Sequence, residues 1–288
     1  MPLPRVVLLT TLTMVAFAGN SLLCRVALRD TTIDATSFTG IRLVSGALVL
    51  WLVVQVSLLR EARVNTDRVT QAGKGTWLSA LALFSYAACF SFAYLSLSAA
   101  TGALLLFGSV QATMIGFGLW SGERLGWRQS LGLGVALAGL VVLFLPGLSA
   151  PPVLGALLMV ASGIAWGIYS LHGRGAGNPT QVTAGNFLRG TLFAIPLCMI
   201  FYGRLQWDVM GVLYAVASGA LASGLGYALW YAVLPSLKAT NAATVQLSVP
   251  VIAALGGALF LGEALTLQLA LASVAILGGI GLVIVGRK

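Results

Sequence analysis

Residues 75–122 read GTWLSALALFSYAACFSFAYLSLSAATGALLLFGSVQATMIGFGLWSG, 48 positions without a single Asp, Glu, Lys or Arg. A bilayer crossing takes about 20 apolar residues at about 1.5 Å of helix each. This stretch is therefore too long for one crossing and long enough for two, with Ser96-Leu97-Ser98-Ala99-Ala100-Thr101 as the turn. In hydrocarbon every backbone N–H and C=O must be paired within the chain, so the crossings are helices.

Working outward, 6–24, 43–59, 129–173, 209–237, 239–262 and 264–286 are also free of Asp, Glu, Lys and Arg. The run 129–173 turns at Pro146-Gly147 to Pro151-Pro152. Two further crossings each carry one arginine, Arg42 and Arg189. The reading is an all-α polytopic membrane protein with ten spans, at about 6–24, 36–58, 76–96, 101–121, 129–146, 153–173, 181–201, 209–232, 239–260 and 265–285. Arg5, the run from Val6 and Ala16-Phe17-Ala18 resemble a secretory leader. Its removal would break the repeat described below, so the segment is kept as the first span.

The composition agrees. Of 288 residues 59% are hydrophobic and 8% charged, and the mean hydropathy is +0.98, where a soluble chain carries about 25% charge. That excludes an ordinary water-soluble enzyme. The formal charge of +9 comes from scattered residues that form no stripe, so no nucleic-acid partner is expected. Cys24, Cys89 and Cys198 are widely spaced inside apolar segments, with no C-x-x-C pair for metal or redox work. No cofactor and no metal are expected. Eleven Lys and Arg fall in one set of loops and termini and three, Arg25, Arg29 and Arg204, in the other, which predicts that both termini are cytoplasmic.

A shift of 140 residues lays 96–144 over 236–284 without a gap and with 12 identities in 49 positions. Gly122-Glu123-Arg124-Leu125 falls on Gly262-Glu263-Ala264-Leu265, Gly116 on Gly256, and Gly139 on Gly279. At a slightly different offset Gly19 pairs with Gly167 and Arg42 with Arg189. The chain reads as two five-helix repeats, 1–146 and 147–288. Five is odd, so the second copy enters the membrane inverted, the plan of many secondary transporters. Arg124 and Arg128 become Ala264 and Gln268, and Ser98 becomes Lys238, so that basic residues stay only in the copy whose loop faces the cytoplasm.

Two copies each with an Arg early in the second helix and a Gly-Glu-x-Leu between the fourth and fifth, together with Lys238-Ala239-Thr240-Asn241-Ala242-Ala243, resemble the EamA-type drug/metabolite transporter superfamily. The resemblance covers essentially the whole chain and is nearest to a YddG-type bacterial amino-acid exporter. It implies a multi-pass protein of the bacterial cytoplasmic (inner) membrane. Its expected partners are a small-molecule cargo and the bilayer, and two complete halves could work as a monomer.

In-span ionisable residues are functional candidates by default. Arg42 and Arg189 could meet substrate, but each could also snorkel to the interface or bond helix-end carbonyls, and the second reading is preferred. Glu123 and Glu263 are read as caps of the fifth and tenth helices. The single His172 lies at a span end, and one peripheral His without an in-span carboxylate offers no nucleophile with a base and no metal set, which speaks against an intramembrane enzyme. The same scarcity disfavours a dedicated proton relay and favours facilitated export or exchange.

Uncharged polar and aromatic residues at helical spacing are the candidate cavity lining: Phe17 and Asn20; Ser79, Tyr86 and Phe90; Trp166 and Tyr169; Trp230, the repeat partner of Phe90; Thr244 and Ser248. Such walls suit a solute with a ring or aliphatic body and a small polar head. A phosphate ester would need converging basic residues, so zwitterionic or weakly cationic cargo is expected. Pro250 is read as a helix bend or hinge that frees the carbonyl of Gln246. Gly134 with Ala138, Gly219 with Ser223 and Ala275 with Gly279 are read as close helix contacts. Alternatives are an exporter of other metabolites or drugs, and a channel.

Overall fold

The structure is a computed structural model, which describes residues 1–64, 75–122, 124–145, 150–173, 178–237 and 245–285. Glu123, Asn241 and Thr244 lie outside the described residues. Among those described there is no strand, and the chain forms apolar helices α1 (Leu3–Asp30), α2 (Ala35–Val64), α3 (Trp77–Tyr94), α4 (Ala99–Trp120) and α5 (Trp127–Phe144). They continue with α6 (Val153–His172), α7 (Pro179–Ile200), α8 (Val209–Ser236), α9 (Ser248–Leu261) and α10 (Leu267–Val285). Nine of these are long and apolar enough to cross a membrane, and α9, with 14 residues, is shorter than a crossing.

Polar side chains set the helix starts. Thr76 Oγ1 accepts from Ser79 N at 3.1 Å, Ser98 Oγ from Thr101 N at 3.2 Å and Asn178 Oδ1 from Gln181 N at 3.3 Å, each satisfying an amide left free in a first turn. Asp34 does more. Its Oδ1 accepts from Thr36 N and Ser37 N at 2.8 and 3.0 Å, while Oδ2 accepts from Gln206 N at 2.8 Å, so one carboxylate caps α2 and ties it to the α7–α8 connection. Burial works to raise the Asp34 pKa, but the bonds from Ser37, Gln206 and Thr36 win and hold it below the ordinary value. A depressed folded pKa contributes stability that is present above the unfolded value of about 3.9 and is lost as pH falls through the folded one. Asp34→Asn places an NH2 or a weaker acceptor against these amides. A loss of about 1–2 kcal/mol at neutral pH is expected, with a shallower acid decline than wild type, measured by thermal unfolding in detergent across pH 3–7.

Large apolar side chains such as Trp120, Leu259, Phe260 and Val274 point outward, the pattern of a bundle whose outer solvent is lipid. Of the two 18-residue helices, 56% of α3 is buried within the protein against 22% of α5, so α3 is central and α5 peripheral. α2 packs on α7 and on the middle of α8; α3 packs on α6 and α7; α1 packs on α8 and α9; α4 packs on α6 and α9. α5 and α10 form a pair of their own beside α4. In that pair Gln129 Nε2 donates to Val283 O at 3.3 Å, and Gln268 Nε2 donates to Val142 O and Leu145 O at 3.0 and 2.8 Å, each helix start binding the other's end.

Two sequence expectations change here. The close contact of α5 runs through Gly132 and Gly139, where an added methyl would press on Gly279 and Ala275, and Gly134 opens onto free space. Gly134 lies about 200° round the helix from Gly132, so the four-residue pattern picked the wrong face. Pro250 sits in the first turn of α9, where amides have no helix partner to lose, just after a turn at Leu247 that interrupts the helical residues Val245 and Gln246. Glu263 caps α4 instead of α10: its Oε2 accepts from Ala99 N at 2.8 Å, while Thr266 Oγ1 serves Leu269 N at the start of α10. Glu263 Oε1 also pairs with Arg25 Nε at 3.1 Å.

Candidate functional site

Mid-bundle, α1, α3, α4, α6 and α8 surround a cavity. α1 contributes Phe17 and Asn20, three residues apart, and α3 contributes Tyr86 and Phe90, four apart, so each pair shares one helix face. Leu106, Phe107, Trp166, Ala222 and Tyr227 complete the wall. The aromatic rings are continuous: Tyr86 to Trp166 is 4.8 Å between centroids, Trp166 to Tyr227 4.9 Å, and Tyr227 to Phe17 5.8 Å edge-on. The space open to the centre of a water-sized sphere is about 20 Å3, enough for about one water, so an organic solute enters only if the walls part.

The polar end of the cavity is a network without an acid. Ser218 Oγ donates to Asn20 Oδ1 at 2.6 Å, Asn20 Nδ2 donates to Tyr86 Oη at 3.2 Å, and Arg42 Nη2 donates to the same oxygen at 2.7 Å. Arg42 Nε reaches Ser223 Oγ at 3.4 Å, and Ser162 Oγ holds the Tyr86 carbonyl at 2.9 Å. The guanidinium carbon stands 4.8 Å from the Phe90 ring centre and 5.1 Å from that of Tyr86. Arg42 is 1% exposed, and among the described residues it forms no ion pair, while Nη1 has no hydrogen-bond partner. A central arginine costs about 2.5–3.5 kcal/mol on insertion scales. One charge-assisted hydrogen bond at about 1.5–3 kcal/mol and a desolvated cation–π contact at about 2 kcal/mol are enough to offset that.

The middle of α8 delivers Ser218 and Ser223. Residues Ala217–Leu225 wind as a π-helix, a wider coil that frequently occurs at functional sites. Gly219 lets this segment approach α2 so closely that a side chain there would collide with the Arg42 carbonyl and Ser45 Oγ.

The EamA-like transporter family matches residues 4–145 and again 153–285. The chain belongs to the EamA-like transporter family. An uncharacterized protein of Pseudomonas aeruginosa is 57% identical over 287 residues, covering 100% of this chain and 97% of that one. An uncharacterized transporter of Archaeoglobus fulgidus is 25% identical over 86% of each chain. The threonine/homoserine exporter RhtA of Escherichia coli K12 is 30% identical over 138 residues, 46% of each chain. A crystal structure superposes with a TM-score of 0.67 over 98% of both chains at 20% identity, a likeness of fold. The protein is thus a multi-pass membrane transporter.

In this family member the expected site residues divide. Phe17, Asn20, Tyr86, Phe90 and Trp166 line the cavity. Tyr169 stacks behind Trp166 at 5.4 Å and donates to Thr183 Oγ1, and Trp230 packs edge-on against Phe17 at 6.2 Å, so both support the wall from outside it. Ser79 belongs to the α3 cap, its Oγ bonded to Thr76 Oγ1, and Ser248 Oγ turns back to Val245 O; neither lines the cavity. For Arg42 the preferred expectation, snorkelling or bonding helix-end carbonyls, gives way: α2 is enclosed by α7 and α8 at its depth, and the side chain ends among rings and hydroxyls. Arg189 is half-buried, bonded to Gly185 O at 3.1 Å and 5.5 Å from the Trp77 ring. Tyr227, Ser218 and Ser223 were missed. The signal was the cluster Ser218, Gly219, Ser223, Gly224 and Gly226 in mid-span, which reads equally well as simple close packing.

Proposed function

We propose that this chain is a secondary exporter of small organic solutes, amino acids including aromatic ones, working by alternating access in the bacterial cytoplasmic membrane. The moving parts are two inverted five-helix halves, 1–146 and 147–288, with both termini cytoplasmic. The observation that carries this reading is the narrow cavity whose ring-lined wall and hydroxyl-amide end come from helices of both halves. Its chemistry suits a zwitterion with an apolar body. The name of the RhtA relative supports an amino acid as cargo.

The packing supports the two-half arrangement. Exchanging α1 with α6, α3 with α8 and α4 with α9 turns the contact α3 to α6 into α8 to α1, and α4 to α6 into α9 to α1. Gly139 against Ala275 and Ile276 is likewise answered by Gly279 against Ala136. Two such shells rocking about a shared site is the alternating-access scheme of inverted-repeat carriers.

The test is counterflow. Purified protein in liposomes preloaded with millimolar unlabelled phenylalanine or threonine is expected to accumulate the labelled amino acid transiently and saturably, with no strict dependence on an imposed pH gradient. A linear flux that preloading does not accelerate would identify a channel and refute the proposal.

A further inference from the structure

Hydrogen-bond accounting at Tyr86 leads to a cargo subsite, an inference that rests on the transport reading above. The 2.6 Å contact between Ser218 Oγ and Asn20 suits an O–H···O bond, and the 3.2 Å contact between Asn20 and Tyr86 Oη suits N–H···O. The Asn20 carbonyl therefore faces Ser218 and its NH2 faces Tyr86. Arg42 can only donate. Tyr86 Oη thus receives two hydrogen bonds, one on each lone pair, and what remains is its own proton.

Two directions are open to that proton: the cavity that Tyr86 lines, and the Tyr227 hydroxyl, which stands beside it and lines the same cavity. In the second case the Tyr227 proton is the one presented. Either arrangement leaves the polar end offering O–H donors, with a guanidinium behind them that has no carboxylate partner among the described residues. An ammonium group brought to this end would meet a like charge, and the Tyr86 oxygen, both of whose lone pairs are taken, would not accept from it. A carboxylate would accept the free O–H bond and neutralise the buried charge.

We propose that the Tyr86 hydroxyl, fixed as a donor by Arg42 and Asn20 and flanked by Tyr227, is the recognition point for a cargo carboxylate. The cavity then selects solutes that carry a carboxylate beside an apolar or aromatic body, and it rejects the corresponding amines. Weakly cationic cargo, an expectation from the sequence, is excluded on this reading. The rings of Phe17, Phe90 and Trp166 take the body, and the two tyrosines with Arg42 orient the head.

The experiment measures competition against labelled phenylalanine counterflow in liposomes holding the wild-type chain. Phenylalanine and leucine are expected to compete about 10-fold or more better than phenethylamine, phenylalaninamide and isoamylamine, the order of one charge-assisted hydrogen bond. Tyr86→Phe, which keeps the ring, is expected to raise the half-saturating phenylalanine concentration about 10-fold and to collapse the acid-to-amine ratio. The wild-type comparison needs no variant, so it stands even if Tyr86→Phe folds poorly. Amines competing as well as the amino acids, or Tyr86→Phe weakening both classes equally, would overturn the carboxylate subsite and leave transport intact. No saturable flux of any solute through the wild-type chain would overturn the transport reading itself.

Discussion

Glu263→Ala is expected to destabilise the protein by about 3 kcal/mol, lowering its unfolding midpoint in detergent by roughly 6–12 °C. Two losses combine. Ala99 N, at the start of α4, loses a charged acceptor at 2.8 Å, and caps of this kind contribute about 1–2 kcal/mol. Arg25 loses its 3.1 Å partner in a site where the two side chains are only 16% and 10% exposed, leaving a nearly enclosed cation with, among the described residues, the Tyr94 carbonyl alone. Glu263→Gln keeps an acceptor for Ala99 and removes the charge, so roughly half of the effect is expected. A double-mutant cycle with Arg25→Met isolates the ion pair, and a coupling below about 0.3 kcal/mol would show that the two side chains act independently. The pair joins α1 to the α9–α10 connection, so its loss is also expected to loosen that end of the bundle.

Gly219→Val is expected to be at least as damaging, through packing alone. A β-carbon at this position would meet the Arg42 carbonyl and Ser45 Oγ, with no flexible end to give way on the backbone side. Overpacking typically costs about 1–3 kcal/mol, and here it also pushes α2, and with it the Arg42 guanidinium, away from Tyr86. Folded yield from membranes should fall several-fold, and surviving protein should lose counterflow. Gly134→Val is the matched control: nothing lies within 4 Å of a β-carbon at that position, and a change within about 0.5 kcal/mol is expected. Equal effects of the two substitutions would mean that α8 does not press on α2 as described.

Ser79 and Tyr86 show what helical periodicity can and cannot deliver. Seven residues apart, they do share a helix face, and that much was readable. The same spacing is about 10.5 Å along the axis, so Ser79 sits in the first turn of α3 with its cap while Tyr86 reaches the cavity. Periodicity carries azimuth and not depth. Tyr227 stands three residues before Trp230 on the same helix face, so the spacing that selects Trp230 contains it too, and which of the two rings reaches the cavity is again a matter of depth. The π-helix at Ala217–Leu225 had no local signature beyond small residues, because its winding is set by how closely α2 must approach.

Charge spacing and apolar run length by themselves determined that lipid is the solvent, that the elements are helices and where most of them lie, since backbone pairing in hydrocarbon leaves no other choice. A residue's chemistry was legible too: the sequence singled out Arg42 as one of two in-span charges and Glu263 as a helix cap. Which helix Glu263 caps, and whether Arg42 reaches for water or is closed in among Tyr86, Phe90 and Ser223, was decided only by the tertiary structure. The physical reason is the same in both cases. The partner of a polar group is the nearest compatible group in space, and helices far apart in sequence, α2 with α8 and α4 with the α9–α10 connection, supply it.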